Sequence, residues 1–286
     1  MPNCSSSYPY TPETLRAQLH TVLLGRRIEL HQQVGSTNDL ARAAGRRGEP
    51  EGLVVLAEEQ LRGRGRHGRV WTAPAGCCVL CSVLLRPRFA PQQAFYLTII
   101  ASLAIYRACA AFFPLDTKRN RRPPTLDPRP PVSIKWPNDV LIGGRKVAGI
   151  LCESEFGGTN WDFAVIGFGI NANLRPEQLG DLQATATSLS AELGHDVDRI
   201  QLLTRVMTEL ESLYLSLQNG QFGMVHQQWV GALETIGQRV SITEGGATIE
   251  GQALRVDQDG ALIIRLESGE EKRVLAGDVS NLLRRE

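Results

Sequence analysis

The sequence predicts an α+β protein in which a large main domain precedes a small β domain at the C-terminus. At 286 residues, the chain is long enough to bury a sizeable core. Segments with helical periodicity lie among short apolar runs that are typical of strands. From Ile236 onward the pattern changes to short alternating runs separated by glycines, which is typical of a small antiparallel barrel. We therefore assign residues 1–235 to the main domain and residues 236–286 to an SH3-like domain.

The N-terminal part of the chain is predicted to alternate helices and strands. Thr11-Pro12-Glu13 has the residues of a helix start, namely an N-cap, a first-turn proline and an acid that suits the helix dipole. We expect this helix to end near Gly25 and a shorter one to cover Leu40–Ala44. The remaining elements predicted here are the strands Arg27–Val34, Leu53–Ala57 and Val79–Leu85, and a long helix from Pro91 to Phe113.

A proline-rich segment at 114–131 interrupts the pattern. It has six prolines and no periodicity, which indicates an exposed insertion into the main domain. Strands and two amphipathic helices follow, with Gly143-Gly144 as a hairpin connection. The predicted strands are Val132–Trp136, Asp139–Ile142, Lys146–Glu155 and Trp161–Ile170, the helices are Arg199–Leu217 and Phe222–Leu233, and the tail strands are Arg239–Thr243, Ala247–Val256, Ala261–Leu266 and Glu271–Leu275.

Composition and charge exclude several functions. A formal net charge of +1 is too small for bulk electrostatic capture of DNA or of an acidic membrane. We expect no segment of transmembrane length, and the start of the chain lacks a signal pattern. Cys78 and Cys81 have C-x-x-C spacing, but no second pair or nearby histidine completes a zinc site. Structural thiols in a cytoplasmic protein are therefore expected.

The run Gly63–Trp71 carries the strongest functional signal. It places three arginines and a histidine among glycines, directly after a predicted buried strand. Arginine forks suit phosphate and carboxylate, and glycines allow backbone N–H groups to approach an anion. The run is short and lies between predicted strands, unlike the long disordered arginine-glycine tracts of nucleic-acid binding. We therefore predict an anion-binding loop within a folded site.

Two further motifs supply charged groups. Lys135-Trp136-Pro137-Asn138-Asp139 brings an amine, an amide and a carboxylate into one turn, where Asp139 could hold a hydrated Mg²⁺ together with phosphate oxygens. A plain turn explains this motif equally well. Lys146 opens an apolar strand, where its amine could neutralise charge during acyl or phosphoryl transfer or could simply reach solvent.

The fourth motif, Gly167-Phe168-Gly169-Ile170-Asn171-Ala172, matches the glycine pattern of dinucleotide-binding turns. Arg175-Pro176 follows instead of a clear helix, so a dinucleotide site is disfavoured. The sequence also lacks the motifs of a P-loop, a serine hydrolase elbow and a zinc protease.

In this order, the four motifs together with Ser36-Thr37-Asn38 and Gln60 resemble the biotin protein ligase family. The resemblance covers nearly the whole chain. It implies a catalytic domain with a mixed β-sheet flanked by helices, related to class II aminoacyl-tRNA synthetases, and an SH3-like C-terminal domain. It also implies biotin, ATP and Mg²⁺ as ligands. The implied activity is that of a biotin–[acetyl-CoA-carboxylase] ligase, which forms biotinyl-5′-AMP and transfers biotin to a lysine of the biotin carboxyl carrier protein.

The resemblance also implies a role for individual residues. Arg66 and Lys146 are expected to be catalytic, and Asp139 is expected to hold Mg²⁺. The residues expected to bind biotin are Ser36, Thr37, Asn38, Gln60, Arg64, Gly65, Arg66 and Lys146, and those expected to bind ATP are Arg64, Arg66, Arg69, Trp71, Lys135, Asn138, Asp139 and Asn171.

Some questions stay open at the level of sequence. Many bacterial relatives carry an N-terminal DNA-binding domain, and the 35 residues before Ser36 are too few for one, so we expect no DNA binding. One alternative is a lipoate ligase or octanoyltransferase on a related fold. Another is a nucleic-acid or peptide-binding module that uses the arginine loop and the tail. The sequence leaves monomer and homodimer open.

Overall fold

The computed structural model describes residues 11–113, 132–244, 247–275 and 277–281. The main β-sheet has seven strands in the order β1-β2-β3-β7-β6-β5-β4. Strand β1 runs parallel to β2, and every other neighbouring pair is antiparallel, so the sheet is mixed. Its strands are β1 (Arg27–Val34), β2 (Leu53–Gln60), β3 (Cys78–Leu85), β4 (Val132–Lys135), β5 (Asp139–Ile142), β6 (Arg145–Gly157) and β7 (Asn160–Asn171).

Helices cover both faces of this sheet. They are α1 (Pro12–Gln18), α2 (Thr37–Arg46), α3 (Phe95–Ala110), α4 (Pro176–Leu179), α5 (Leu189–Leu193), α6 (Arg199–Gln218) and α7 (Phe222–Ala232). In β2, Val54 and Leu56 belong to the apolar cluster that contains α3, α6 and α7, whereas Leu53 and Val55 pack with α2. Successive side chains of a strand point to opposite faces, so covering both faces requires the uninterrupted apolar run that predicted β2.

A second sheet forms the C-terminal region, and its five strands are antiparallel in the order β11-β10-β9-β8-β12. It packs on the main domain. The Trp136 indole N–H donates to the carbonyl of Gly260 at 2.9 Å, and His226 Nε2 lies 2.8 Å from the carbonyl of Asp257. The strands are β8 (Arg239–Glu244), β9 (Ala247–Val256), β10 (Leu262–Arg265), β11 (Glu271–Val274) and β12 (Asp278–Asn281).

The predicted α+β class is therefore confirmed, while some element boundaries are wrong. The first helix ends at Gln18 and not near Gly25. The carboxylate of Glu211 in α6 accepts the backbone N–H groups of Val22, Leu23 and Leu24 at 2.7 Å each. A partner 187 to 189 residues away thus holds this segment in a non-helical path, which local sequence cannot reveal.

The remaining differences are smaller. Helix α2 begins at Thr37 and not at Leu40, because Ser36 occupies the N-cap position. The short helices α4 and α5 and the last strand β12 were not predicted. The predicted insertion at 114–131 lies outside the described residues.

The prediction that no segment reaches transmembrane length is wrong for Pro91–Ala110. This stretch of 20 residues has a mean hydropathy of 1.3, so by length and composition alone it is long and apolar enough to cross a membrane. Its helix α3 nevertheless packs against α6 and α7 in the described structure, with residues such as Leu97, Ile100 and Ala104 fully buried. The apolar composition of α3 is therefore explained by its burial in the core of the protein.

Candidate active site

An open cleft of about 800 Å³ lies against the middle of the main sheet, and part of its volume is open to solvent. One wall is the run Gly63–Trp71, and the opposite wall is the turn that carries Asn138 and Asp139. The floor is formed by β6 and β7 and by the start of α2. The cleft is lined by Ser36, Thr37, Asn38, Gln60, Arg64, Gly65, Arg66, Arg69, Val70, Trp71, Asn138, Asp139, Lys146, Gly149, Ile150, Leu151, Gly167, Phe168 and Gly169.

The arginine-glycine run folds back on itself as a small hairpin. The backbone N–H of Gly65 donates to the carbonyl of Arg69 at 2.7 Å, and that of Trp71 donates to the carbonyl of Gly63 at 2.9 Å. His67 at the tip has a φ of 55°, a left-handed conformation that is uncommon for residues with a side chain. The run is therefore a folded loop with two anchored arms.

Two arginines of this loop point to different partners. Arg66 Nη1 donates across the cleft to Asn138 Oδ1 at 3.1 Å, and Asn138 Nδ2 in turn donates to the carbonyl of Ile150 at 2.7 Å. Arg64 binds both carboxylate oxygens of Asp39, at 2.7 and 3.1 Å. This hydrogen bonding to Asp39 raises the pKa of Arg64 above its usual value. The bidentate pair holds one arm of the loop on helix α2.

A network of buried polar groups forms one end of the floor. The backbone N–H and the hydroxyl of Thr37 both reach Gln60 Oε1, at 2.7 and 3.1 Å. The Ser82 hydroxyl lies 2.7 Å from the Thr37 hydroxyl and 2.5 Å from Asn38 Oδ1. A Cβ on Gly167 would stand 1.9 Å from Asn38 Oδ1, so glycine is needed there for Asn38 to reach the floor. These mutually fixed donors and acceptors suit a ligand with a compact polar head.

Trp71 covers the other part of the floor. Gly149 of β6 and Gly169 of β7 are paired across the sheet, and a Cβ on Gly169 would come within 2.6 Å of the Trp71 ring. Lys146 Nζ lies 5.8 Å from the centroid of that ring and 2.7 Å from Asp139 Oδ1. The glycine pair thus provides a flat surface on which the indole rests, with an ammonium group beside it.

The structure brings most of the predicted site residues together. Twelve of the fourteen line the cleft, and Lys135 and Asn171 do not. Lys135 ends β4, where its backbone pairs with Asp139. Asn171 is 5% exposed, and its side-chain amide donates to the carbonyl of Thr187 at 2.9 Å. These two positions therefore hold neighbouring chain segments in place and are not presented to the cleft.

Sequence reasoning missed two polar residues that support the floor. Ser82 is fully buried in the apolar strand β3, and Glu153 of β6 accepts a hydrogen bond from Asn38 Nδ2 at 2.7 Å. A lone hydroxyl in the run Cys78–Leu85 was an available signal for Ser82, because a buried polar group requires a partner. Glu153 stood within a recognised motif, but its partners come from distant parts of the chain.

Known protein families and relatives match most of the chain. The model of the biotin/lipoate A/B protein ligase family matches residues 30–171, and that of the biotin protein ligase C-terminal domain matches residues 235–281. A biotin–[acetyl-CoA-carboxylase] ligase from Mycobacterium tuberculosis is 34% identical over 279 residues, which cover 96% of both proteins. The chain belongs to the biotin protein ligase family.

Other members of the biotin protein ligase family support the assignment. The bifunctional ligase/repressor BirA of Bacillus subtilis is 30% identical over 93% of this chain and 77% of its own length. The structure of the Aquifex aeolicus biotin protein ligase in complex with biotin and ATP superposes with a TM-score of 0.70 at 25% identity, and covers 89% of this chain and 98% of its own.

Proposed function

We propose that this protein is an ATP-dependent biotin–[acetyl-CoA-carboxylase] ligase. It activates biotin to biotinyl-5′-AMP and then transfers biotin to a lysine of the biotin carboxyl carrier protein. The observation that carries the proposal is one cleft, lined also by Lys146, that joins a network of buried polar groups to a loop with three arginines. A neutral polar head and an anionic reacting end require these two environments side by side.

The polar end of the cleft suits the ureido head of biotin. The head has both N–H donors and a carbonyl acceptor. Thr37, Asn38 and Gln60 offer hydroxyl and amide groups held by the protein's own hydrogen bonds, and Ser36 lines the cleft beside them. Because these groups are fixed before the ligand arrives, little ordering is needed on binding.

The basic end suits the junction of the biotin carboxylate and the α-phosphate. Two unit negative charges about 4 Å apart repel by roughly 4 kcal/mol at the effective dielectric typical of such a site. Arg66 of the loop and Lys146 of β6 both line the cleft and can offset that repulsion while they align the attack of the carboxylate on phosphorus. Pyrophosphate leaves, and the mixed anhydride remains under the loop.

The ATP side of the cleft is assigned to Trp71, Arg69, Asn138 and Asp139. Asp139 is the one carboxylate that lines the cleft among the residues the structure describes. Mg²⁺ commonly binds one or two carboxylates and takes its other ligands from phosphates and water, so Asp139 fits as a ligand despite its contact with Lys146. When bound, the metal ion supplies charge neutralisation for the phosphates.

The second step needs no nucleophile from the ligase, since the amine of the carrier's lysine attacks the carbonyl of the mixed anhydride and AMP leaves. The loop's task is then to exclude water until the carrier arrives. We further propose a cytoplasmic location, with the buried Cys81 and Cys109 as reduced thiols.

Transfer of labelled biotin from ATP and biotin to a purified carrier domain tests this function. Transfer that requires both substrates is the expected result, and an absence of transfer with an active carrier would overturn the proposal. Lipoate and octanoate are compared in the same assay. Preference for either of them over biotin would assign the protein to that related chemistry instead.

A further inference from the structure

Helix α2 and strand β6 are joined by a row of alternating charges. Asn38, Arg42 and Arg46 recur every four residues and share one face of the helix, and Glu153 and Glu155 share one face of the strand. Arg42 pairs with both acids, at 3.2 and 2.9 Å. Arg46 continues the row to Glu155 at 2.5 Å. The row therefore runs from the exposed end of α2 to the polar floor of the cleft.

Glu153 differs from Glu155 in what it touches. Its Oε2 accepts a hydrogen bond from Asn38 Nδ2 at 2.7 Å and lies 3.3 Å from Arg64 Nη2. Asn38 belongs to the polar floor, and Arg64 belongs to the loop. One carboxylate oxygen thus contacts both parts of the cleft, and the side chain is only 24% exposed, which limits screening by solvent.

We propose that Glu153 is a positioning residue that couples the polar floor of the cleft to the arginine loop. The inference rests on the proposed function, because it assigns the biotin head to the floor and the adenylate to the loop. Asn38 and Arg64 share one acceptor, so a ligand that holds Asn38 in place also holds the point on which Arg64 rests. Glu153 transmits this constraint and does not contact the reacting atoms.

Arg64 and Asp39 show why a link of this kind is needed. Arg64 makes a bidentate contact with Asp39, and Asp39 does not line the cleft. That pair anchors the loop to α2. The contact with Glu153 connects Arg64 to Asn38, a residue of the floor.

The test compares Glu153→Gln with the matched control Glu155→Gln. Both variants remove one negative charge from the same row, with nearly the same side-chain shape, but Glu155 contacts Arg42 and Arg46 and neither Asn38 nor Arg64. Two readouts are measured for each. One is the KM for biotin in ATP–pyrophosphate exchange, and the other is the biotin concentration that protects the loop arginines from trypsin.

We expect Glu153→Gln to raise both concentrations by about tenfold, a size typical of coupling between residues in contact. Glu155→Gln is expected to leave both within about twofold of the wild type, the usual limit for uncoupled sites. In a double-mutant cycle on biotin KM, Arg64→Ala should combine non-additively with Glu153→Gln and additively with Glu155→Gln.

Equal behaviour of the two glutamine variants, or an additive cycle for both, would overturn the coupling. If Glu153→Gln does not fold, Glu153→Asp replaces it, because aspartate keeps the charge and withdraws the oxygens from Asn38 and Arg64. The same loss of protection is then expected. Wild-type protein that shows no biotin-dependent exchange would refute the proposed function, a result separate from the comparison of variants.

Discussion

Arg66 and Asn138 join the two walls of the cleft, since Arg66 Nη1 donates to Asn138 Oδ1 at 3.1 Å. Arg64, two residues earlier, is held outside this contact by Asp39. The two loop arginines expected to bind both ligands therefore have different surroundings: Arg66 spans the cleft, whereas Arg64 anchors the loop.

Replacement of Arg66 by alanine should impair activation of biotin. We expect biotin-dependent ATP–pyrophosphate exchange to fall by roughly 10²-fold or more, because a charged donor at the reacting phosphate is removed. Bound biotinyl-5′-AMP should also dissociate faster, since the contact across the cleft is lost. Arg47→Ala, at an exposed arginine beyond α2, is the control. Exchange at the wild-type rate in Arg66→Ala would contradict the assigned role.

Lys146 is expected to be needed for the same step. Its ammonium group lies between the Trp71 ring and Asp139, and Lys146→Ala should lower exchange by about 10²-fold. Lys146→Arg should restore it only in part, because a planar fork does not replace a compact ammonium group. Lys272→Ala, at an exposed lysine of β11, should behave as the wild type. Full activity of Lys146→Ala would remove this residue from the mechanism.

Substitution of Gly169 by alanine tests the surface under Trp71. The added Cβ would stand 2.6 Å from the indole ring, so the ring must move away from the sheet. We expect a higher KM for ATP and a smaller change in the KM for biotin, because the polar floor does not depend on Trp71. Gly231→Ala in α7 is the matched control, since a Cβ there meets no atom within 4 Å. Equal changes in both KM values would argue against separate biotin and ATP ends.

The buried pair of Glu58 and Arg199 should matter for stability. Arg199 Nη1 lies 2.9 Å from Glu58 Oε2, and the side chains are 7% and 1% exposed. Arg199→Ala leaves a buried carboxylate without this partner and should lower the free energy of unfolding by about 3–5 kcal/mol. Arg255→Ala, which breaks an exposed pair with Glu271, should change it little, because solvent screens that pair. Urea unfolding of both variants measures the difference.

The sequence predicted those parts of the site in which chemistry is concentrated in one short segment. The loop Gly63–Trp71 and the turn at Asn138-Asp139 each combine charge with residues suited to turns, and both line the cleft. Lys135 starts the motif that contains Asn138 and Asp139, and Asn171 lies in the motif of Gly167 and Gly169, yet neither lines the cleft. Both share a sheet face with residues that do, since Lys135 pairs with Asp139 and Asn171 follows Gly169 by two positions, so membership of a motif and the correct face do not suffice to predict a lining residue.

The sequence by itself determined the fold class, the strands β1 and β5 with their bounds, and the loop and turn that face the cleft. These features depend on short-range patterns of apolar residues, glycines and charges. Only the tertiary structure decided the end of α1, the contribution of Ser82 and the separate positions of Arg64 and Arg66. Each of these depends on a hydrogen bond to a residue more than twenty positions away. Such partners come together only when the sheet assembles, so no local pattern records them.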